Sequence, residues 1–211
     1  MTAQVVLLSS NICGNPEPET YGQTSYVRFA SDWLDMVKSA KSDDVELVLW
    51  KRSLTGLNVT NAEVEPESDL EVILGTRQQV LTELESVFVA SAWPAPLRER
   101  AEHDARQCLN AFEAEFSGSL YRLRLEAVSD DACRKFHQDG TFQRLIITYR
   151  GNGTVWRDVK IGADRQAIEM ECVLLRGKRA GRDPQILHRS PSFMTGQMPR
   201  LIMVIDVIPD R

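Results

Sequence analysis

Apolar residues recur at helical intervals in the first half of the chain. Between residues 29 and 39 they fall on one face of a predicted helix, at Phe29, Trp33, Met36 and Val37. A second helix is predicted from an N-cap at Ser68 to the break at Trp93-Pro94, and a third over 97–116, ended by Ser117-Gly118. VELVLWKR (45–52) instead predicts a buried strand. Turn-forming and acidic residues predict loose segments at 1–25 and 56–67.

After Gly118 the period of the pattern shortens to two. SLYRLRLEAV (119–128) alternates apolar and charged residues, as a half-buried strand does. Five more strands are predicted at 143–150, 154–160, 168–175, 185–189 and 200–207. The pattern favours an α+β fold, in which a mostly antiparallel sheet or barrel over 119–211 packs against a helix-rich portion, 1–118, as one integrated domain.

Composition and charge narrow the class of protein. With 43% hydrophobic and 26% charged residues, the chain has the composition of an ordinary globular domain. Its net charge of −5 argues against a nucleic-acid partner, which selects a basic face. No apolar run approaches the roughly 18 residues of a membrane-spanning helix, and the apolar stretch 5–8 is too short for a signal peptide. We therefore expect a cytoplasmic protein. Its four scattered cysteines predict reduced thiols: Cys13, Cys108, Cys133 and Cys172.

A histidine and an aspartate two residues apart form the first candidate site. In an extended backbone, His137 and Asp139 point to the same face and can hold one cation from one side. A distant histidine would complete a facial triad of ligands, and His188, in a second strand-like segment, is placed to do so. The remaining histidine, His103, lies in a charged helical segment and is expected to face solvent. The spacing alone also fits a polar loop that contains these residues by chance.

Four further residues are candidates for binding a ligand or the metal. Arg200 opens the last strong strand and can direct a bidentate guanidinium at a carboxylate, and Arg189, next to His188, is its rival. Tyr149 either donates a hydrogen bond to a bound cosubstrate or is a core aromatic residue. Cys133 shares a face with His137 if 133–139 is extended, so it is either an accessory ligand for a soft metal or a small semi-buried side chain.

The order of an HxD motif, a distant histidine and an arginine one strand later resembles the iron(II)/2-oxoglutarate oxygenase superfamily. The resemblance implies a double-stranded β-helix (a jelly-roll, cupin-like barrel) in the C-terminal part, with an N-terminal helical layer. It also implies Fe(II), with zinc as the alternative, on His137, Asp139 and His188. It further implies 2-oxoglutarate on Arg200, with Tyr149 as an additional contact.

Longer strings resemble a bacterial family classified as a domain of unknown function. These strings are Cys133…FHQD (136–139), TYRGNGTVW (148–156), HRSP (188–191) and RL…VID (200–206). Relatives in that family often lie near zinc-homeostasis genes, which implies a metal-related role. Two alternatives to an oxygenase therefore stay open. One is a non-enzymatic zinc- or iron-binding protein in metal homeostasis, and the other is a degenerate barrel with a structural or partner-binding role.

Overall fold

The computed structural model of the protein describes residues 24–52, 70–130, 133–194 and 196–209. Within these residues three helices and ten strands follow one another in this order: β1 (Val27–Phe29), α1 (Trp33–Lys41), β2 (Leu47–Trp50), β3 (Leu70–Thr76), α2 (Arg77–Ala90), α3 (Ala95–Glu115), β4 (Leu120–Val128), β5 (Gln143–Arg150), β6 (Val155–Asp158), β7 (Asp164–Gln166), β8 (Cys172–Arg176), β9 (Ile186–Arg189) and β10 (Arg200–Ile208). The helices precede residue 118 and most strands follow it, as the hydrophobic pattern predicts.

The strands form a large sheet and a small one. The large sheet has the strand order β1-β2-β8-β5-β10-β4-β3, and the small sheet has the order β7-β6-β9. Among the described strands, β1 and β2 pair in parallel and the other pairs are antiparallel. The expectation of a mostly antiparallel sheet is therefore confirmed. Closure of the strands into a barrel, and the division at residue 118, stay predictions.

The large sheet separates two hydrophobic cores. On one face, the helices pack against apolar side chains of the central strands, among them Leu123, Ile147 and Met203. On the other face, Trp156 and Ile186 of the small sheet pack against residues of β2 and β8. Strands β4, β5 and β10 therefore turn alternate side chains to the helices and to the small sheet. The candidate site lies on the second side, between the two sheets.

The segment 70–76 differs most from the sequence prediction. It forms the edge strand β3, antiparallel to β4, rather than the first turns of a helix. Helix α2 begins only at Arg77, because Thr76 and Gln79 form a capping box in which each side chain accepts from the other residue's backbone N–H. The apolar residues of this segment fit a helical interval. However, a helix here would leave the backbone groups along the edge of β4 without partners, and pairing with β3 satisfies them.

Smaller differences concern the ends of elements. Phe29 belongs to β1, and α1 begins at Trp33 after the N-cap Asp32. Strand β8 begins at Cys172 rather than at residue 168, because Met170 adopts a positive φ of 65° in a turn. The short strand β7 has no counterpart among the predicted strands. The features predicted at 1–23, at 56–67 and at Ser68 lie outside the described residues. None of the described helices is both long and apolar enough to cross a membrane.

Candidate metal centre

His137 and His188 lie side by side on neighbouring backbone segments. The backbone N–H of each donates to the carbonyl oxygen of the other, both at 2.9 Å, so the pair forms an antiparallel bridge beside β9. Opposite residues in such a bridge turn their side chains to the same face, and the two ring centroids are 4.5 Å apart. On its other side β9 pairs with β6, where Trp156 stands opposite His188. The small sheet therefore places both imidazoles.

Asp139 completes the group. Its Oδ1 lies 3.7 Å from Nε2 of His137, and its Oδ2 lies 3.1 Å from Nε2 of His188. One ligand atom from each of the three residues lies within 4.8 Å of the others. Ligands about 2.1 Å from one ion and at right angles are about 3 Å apart, so small side-chain shifts suffice to place all three on a single ion. The structure thus brings together the three residues that the sequence singles out.

Backbone contacts with the chain after β8 hold the segment that carries Asp139. Lys178 N donates to the carbonyl oxygen of Asp139 at 2.7 Å, and Gly177 N donates to that of Phe142 at 3.1 Å. The approach is so close that a Cβ on Gly177 would overlap the carbonyl oxygen of Thr141. Position 177 therefore requires glycine for steric reasons, and the aspartate is fixed by backbone rather than by its side chain alone.

The ligand atoms are oriented for a cation. Nδ1 of His137 lies 2.9 Å from the carbonyl oxygen of Lys135 and donates to it, which leaves the lone pair of Nε2 toward Asp139. Oδ2 of Asp139 is buried, and no described group donates a well-oriented hydrogen bond to it. Burial raises the pKa of the Asp139 carboxyl, but His188, Arg144 and His137 outweigh burial and hold that pKa below its ordinary value. The residues present therefore fit a divalent metal ion, to which they offer a carboxylate oxygen and two imidazole nitrogens.

A buried ion-pair network supports Asp139. Nη1 of Arg144 donates to Oδ1 of Asp139 at 2.5 Å, while its Nε and Nη2 donate to Asp206 at 2.6 and 3.1 Å. Asp206 is fully buried and also accepts from Arg122, because β10 places it directly between β4 and β5. With one oxygen held by Arg144, Asp139 has its other oxygen left for a metal. The sequence alone does not reveal this network, because only the pairing register of β4, β10 and β5 brings its side chains together.

His137 and His188 border a cleft of about 240 Å³ between the two sheets, and Arg200 enters the same cleft from the start of β10. Arg200 is 5% exposed, and its Nε donates to the carbonyl oxygen of Asn152 at 2.6 Å. Among the described side chains no carboxylate pairs with it. Burial lowers the pKa of the guanidinium to about 10, although Glu126 acts to raise it. A buried guanidinium without a paired carboxylate is costly, so this position is suited to a carboxylate supplied by a ligand.

The rival arginine and the candidate cysteine border the cleft as well. Nη1 of Arg189 donates to the carbonyl oxygen of Ser190 at 3.0 Å, and its guanidinium lies 5.1 Å from the ring centroid of Phe136. Its Nη2 is 3.8 Å from Asp164, so Arg189 already has a weak ionic partner. Cys133 has an exposed thiol at the edge of the cleft. Arg200 is therefore better placed than Arg189 to bind a carboxylate.

Tyr149 lies on the opposite face of β5, away from the cleft. It is fully buried in the helical core, where its hydroxyl donates to Asp104 of α3 at 2.8 Å. Asp104 also receives Arg52 Nη1 at 2.6 Å and Arg100 Nη2 at 3.0 Å. The expected contact of Tyr149 with a cosubstrate therefore does not fit its position, and its alternative as a core aromatic residue does. His103, also on α3, is exposed as predicted.

Residues 31–206 match a protein family described as "Protein of unknown function (DUF1826)". The chain belongs to this family. The matched span runs from just before α1 into β10 and contains every candidate site residue. The resemblance to a family without assigned function is thereby confirmed at the level of the family. No curated protein sequence matches this DUF1826 chain significantly.

Several solved structures resemble the DUF1826 fold. AtDAO1, the dioxygenase for auxin oxidation 1 from Arabidopsis thaliana in a 2-oxoglutarate complex, is 12% identical, with 89% of this chain and 94% of that chain covered at a TM-score of 0.50. A full-length protein from Neurospora crassa, in complex with alpha-KG, is 12% identical over 84% and 78% of the two chains, with a TM-score of 0.39. A viral collagen prolyl hydroxylase from Paramecium Bursaria Chlorella virus-1 is 9% identical over 56% and 75%, with a TM-score of 0.37. The likeness to AtDAO1 shows a shared fold with a 2-oxoglutarate-binding dioxygenase.

Proposed function

We propose that this DUF1826 protein is a mononuclear non-haem Fe(II)/2-oxoglutarate-dependent oxygenase-like enzyme. His137, Asp139 and His188 hold Fe(II), and Arg200 binds a carboxylate of 2-oxoglutarate. One observation carries the proposal: two imidazoles and a carboxylate meet at a cleft that also holds a buried arginine without a paired carboxylate. The proposal includes closure of the two sheets into a double-stranded β-helix barrel over 119–211, with 1–118 as its helical layer.

Each residue has a distinct role in this proposal. Two imidazoles and one carboxylate occupy one side of an ion and leave its other positions open, as in non-haem iron sites. Fe(II) and 2-oxoglutarate, when bound, supply the oxidative chemistry. Arg144 holds one oxygen of Asp139, so that the carboxylate binds through the other. Ile146, Ile202 and Val204 give the cleft an apolar part of its wall.

Metal binding is tested first. Protein purified without an affinity tag is expected to contain or take up one divalent metal per chain, measured by elemental analysis and by titration with Fe(II) under anaerobic conditions. His137→Ala is expected to lose this metal, because it removes one of three ligands. The matched control is His103→Ala, since His103 is exposed on α3. Absence of metal in the wild-type protein, or equal metal content in the two variants, would contradict the proposal.

Cosubstrate binding is tested separately. Addition of 2-oxoglutarate to the anaerobic Fe(II)-loaded protein is expected to produce a visible charge-transfer band. Arg200→Gln is expected to retain the metal and lose the band, because the variant removes the guanidinium that faces the cleft. Arg106→Gln is a matched control, since Arg106 pairs with Glu102 on the surface of α3. If Arg200→Gln binds 2-oxoglutarate as the wild type does, the assignment of this arginine fails.

A second candidate function is zinc binding without catalysis. Cys133 favours it, because its exposed thiol borders the same cleft as the two histidines and thiolates are common zinc ligands. In that case Zn(II) would bind more tightly in the wild type than in Cys133→Ser, and 2-oxoglutarate would not bind to the metal-loaded protein. Competition between Zn(II) and Fe(II) in the wild type and in Cys133→Ser distinguishes the two functions.

A further inference from the structure

The cleft is cationic although the chain as a whole is acidic. Among the described residues that line it, Glu126 is the acidic one, whereas the whole chain has a net charge of −5. The basic lining residues are five arginines: Arg122, Arg124, Arg144, Arg189 and Arg200. A cleft lined by one sign of charge concentrates ligands of the opposite sign. Which ligand it selects depends on which guanidinium groups still have donors available.

Three of the five arginines are engaged or assigned. Nε, Nη1 and Nη2 of Arg144 all donate to the carboxylates of Asp139 and Asp206. Arg189 is held by the carbonyl oxygen of Ser190 and by the ring of Phe136. Arg200 is the cosubstrate arginine of the proposed function. The two arginines of β4 remain.

Arg122 and Arg124 are two residues apart on β4, so they turn to the same face about 7 Å from each other. Arg122 contacts Asp206 through Nε and Nη2, at 3.1 and 2.7 Å, which leaves Nη1. Nη1 of Arg124 pairs with Glu126 at 2.5 Å, while its Nε is buried and finds no acceptor among the described residues. Two adjacent guanidinium groups therefore keep unused donors beside the cleft.

Charge balance shows how much negative charge a ligand has to supply. Four of the five arginines pair with a carboxylate, those of Asp206, Asp139, Glu126 and Asp164, and Arg200 pairs with none among the described residues. One positive charge is left over, a divalent metal adds two more, and the 2-oxoglutarate dianion cancels two. Because Asp164 is also paired with Arg157, the loaded cleft retains at least one positive charge without a partner. Because an unpaired charge in a partly buried site is unfavourable, one more anionic group stabilises the loaded state.

We propose that Arg122 and Arg124 form a subsite for a carboxylate of the substrate, and that the substrate is a small organic acid. The proposal rests on the proposed function, because the metal and the role of Arg200 enter the charge balance. The size of the cleft agrees with a small ligand, since about 240 Å³ lies below the roughly 300–1,000 Å³ of typical ligand pockets. The subsite is distinct from Arg200, which occupies the start of β10 rather than β4.

Paired acids and amides test the subsite directly. Acetate, butyrate and benzoate, each with its neutral amide, are titrated calorimetrically into Zn(II)-loaded protein saturated with 2-oxoglutarate. At least one acid is expected to bind about tenfold or more tightly than its amide, and more weakly when salt is added. If no acid binds, or if acids and amides bind equally, the proposal is overturned.

Variants locate the binding. Arg124→Gln, and the double variant with Arg122→Gln, are expected to weaken the acid by about tenfold or more and to change 2-oxoglutarate affinity by less than about twofold. The single variant is included because Arg122 also holds Asp206. Arg106→Gln, with the same loss of charge on the surface of α3, is expected to have no effect. Wild-type acid affinity in both cleft variants overturns the subsite.

The outcomes separate this proposal from the proposed function. If 2-oxoglutarate fails to bind and acids still bind through Arg122 and Arg124, the cosubstrate assignment fails and the subsite stands. If 2-oxoglutarate binds through Arg200 and the affinity for acids is the same with and without the β4 arginines, the subsite fails and the cosubstrate assignment stands.

Discussion

Asp206→Asn tests the buried network beneath the metal centre. Asp206 lies in β10 with no exposed surface and accepts hydrogen bonds from Arg122 on one neighbouring strand and from Arg144 on the other. The asparagine keeps the shape of the side chain and one oxygen acceptor but removes the charge. Arg144 then keeps one carboxylate partner, Asp139, whereas Arg122 loses the carboxylate with which it pairs.

The expected loss of stability follows from these contacts. Removal of one partner of a buried ion pair costs about 3–5 kcal/mol, because the other charge stays buried without compensation. Two features place Asp206→Asn at the lower end of this range. The side chain of Arg122 is 34% exposed, so water recovers part of its solvation, and Arg144 retains Asp139. We expect a decrease of about 3 kcal/mol in the free energy of unfolding, a large share of the 5–15 kcal/mol of a typical domain.

Urea unfolding followed by circular dichroism measures this decrease, with the slope against urea as a check that the unfolding transition itself is unchanged. Asp164→Asn is the matched control, because Asp164 is 39% exposed and pairs with Arg157 at 2.5 Å on the surface. Its expected cost is below about 1 kcal/mol. Equal losses in the two variants would refute the reasoning that burial makes Asp206 structurally important.

Three further predictions concern groups away from the metal ligands. Tyr149→Phe removes a hydrogen bond to a buried carboxylate and is expected to lower the free energy of unfolding by about 1.5–3 kcal/mol, with calorimetric 2-oxoglutarate affinity unchanged. Burial raises the pKa of Glu171, so the protein loses stability as pH rises from its unfolded pKa of about 4.3 through the raised folded value. Glu171→Gln is expected to remove this loss. In urea unfolding the variant is expected to be more stable than the wild type at neutral pH, but not below about pH 4. Iodoacetamide is expected to alkylate Cys133, as detected by peptide mapping. Cys108 and Cys172 are expected to resist alkylation, because burial raises the pKa of their thiols.

The three candidate ligands could be predicted because their pattern is largely local. His137 and Asp139 share a face through the two-residue period of an extended backbone, and His188 was the one histidine left in a strand-like segment. Tyr149 could not be placed in the same way. The last four residues of β5 are all buried, so alternation of burial does not show which face meets the helices and which meets the cleft.

The parts that the sequence does not reveal depend on distant pairing. Asp206 meets Arg144 and Arg122 across separations of 62 and 84 positions in the chain, and only strand register makes them neighbours. The strand β3 has a similar origin. Its apolar residues fit a helical interval. The segment forms a strand because it pairs with the edge of β4, which is distant in the sequence.

The backbone bridge between His137 and His188 links metal binding to the order of the small sheet. An ion shared by the two side chains would act as a cross-link between points about fifty residues apart. By the loop-entropy relation used for disulfides, a closure of that length is worth up to about 4 kcal/mol, gained by restricting the unfolded chain. The bridge places the two imidazoles side by side. A chelator would therefore lower the melting temperature, and metal affinity would report on the integrity of this sheet.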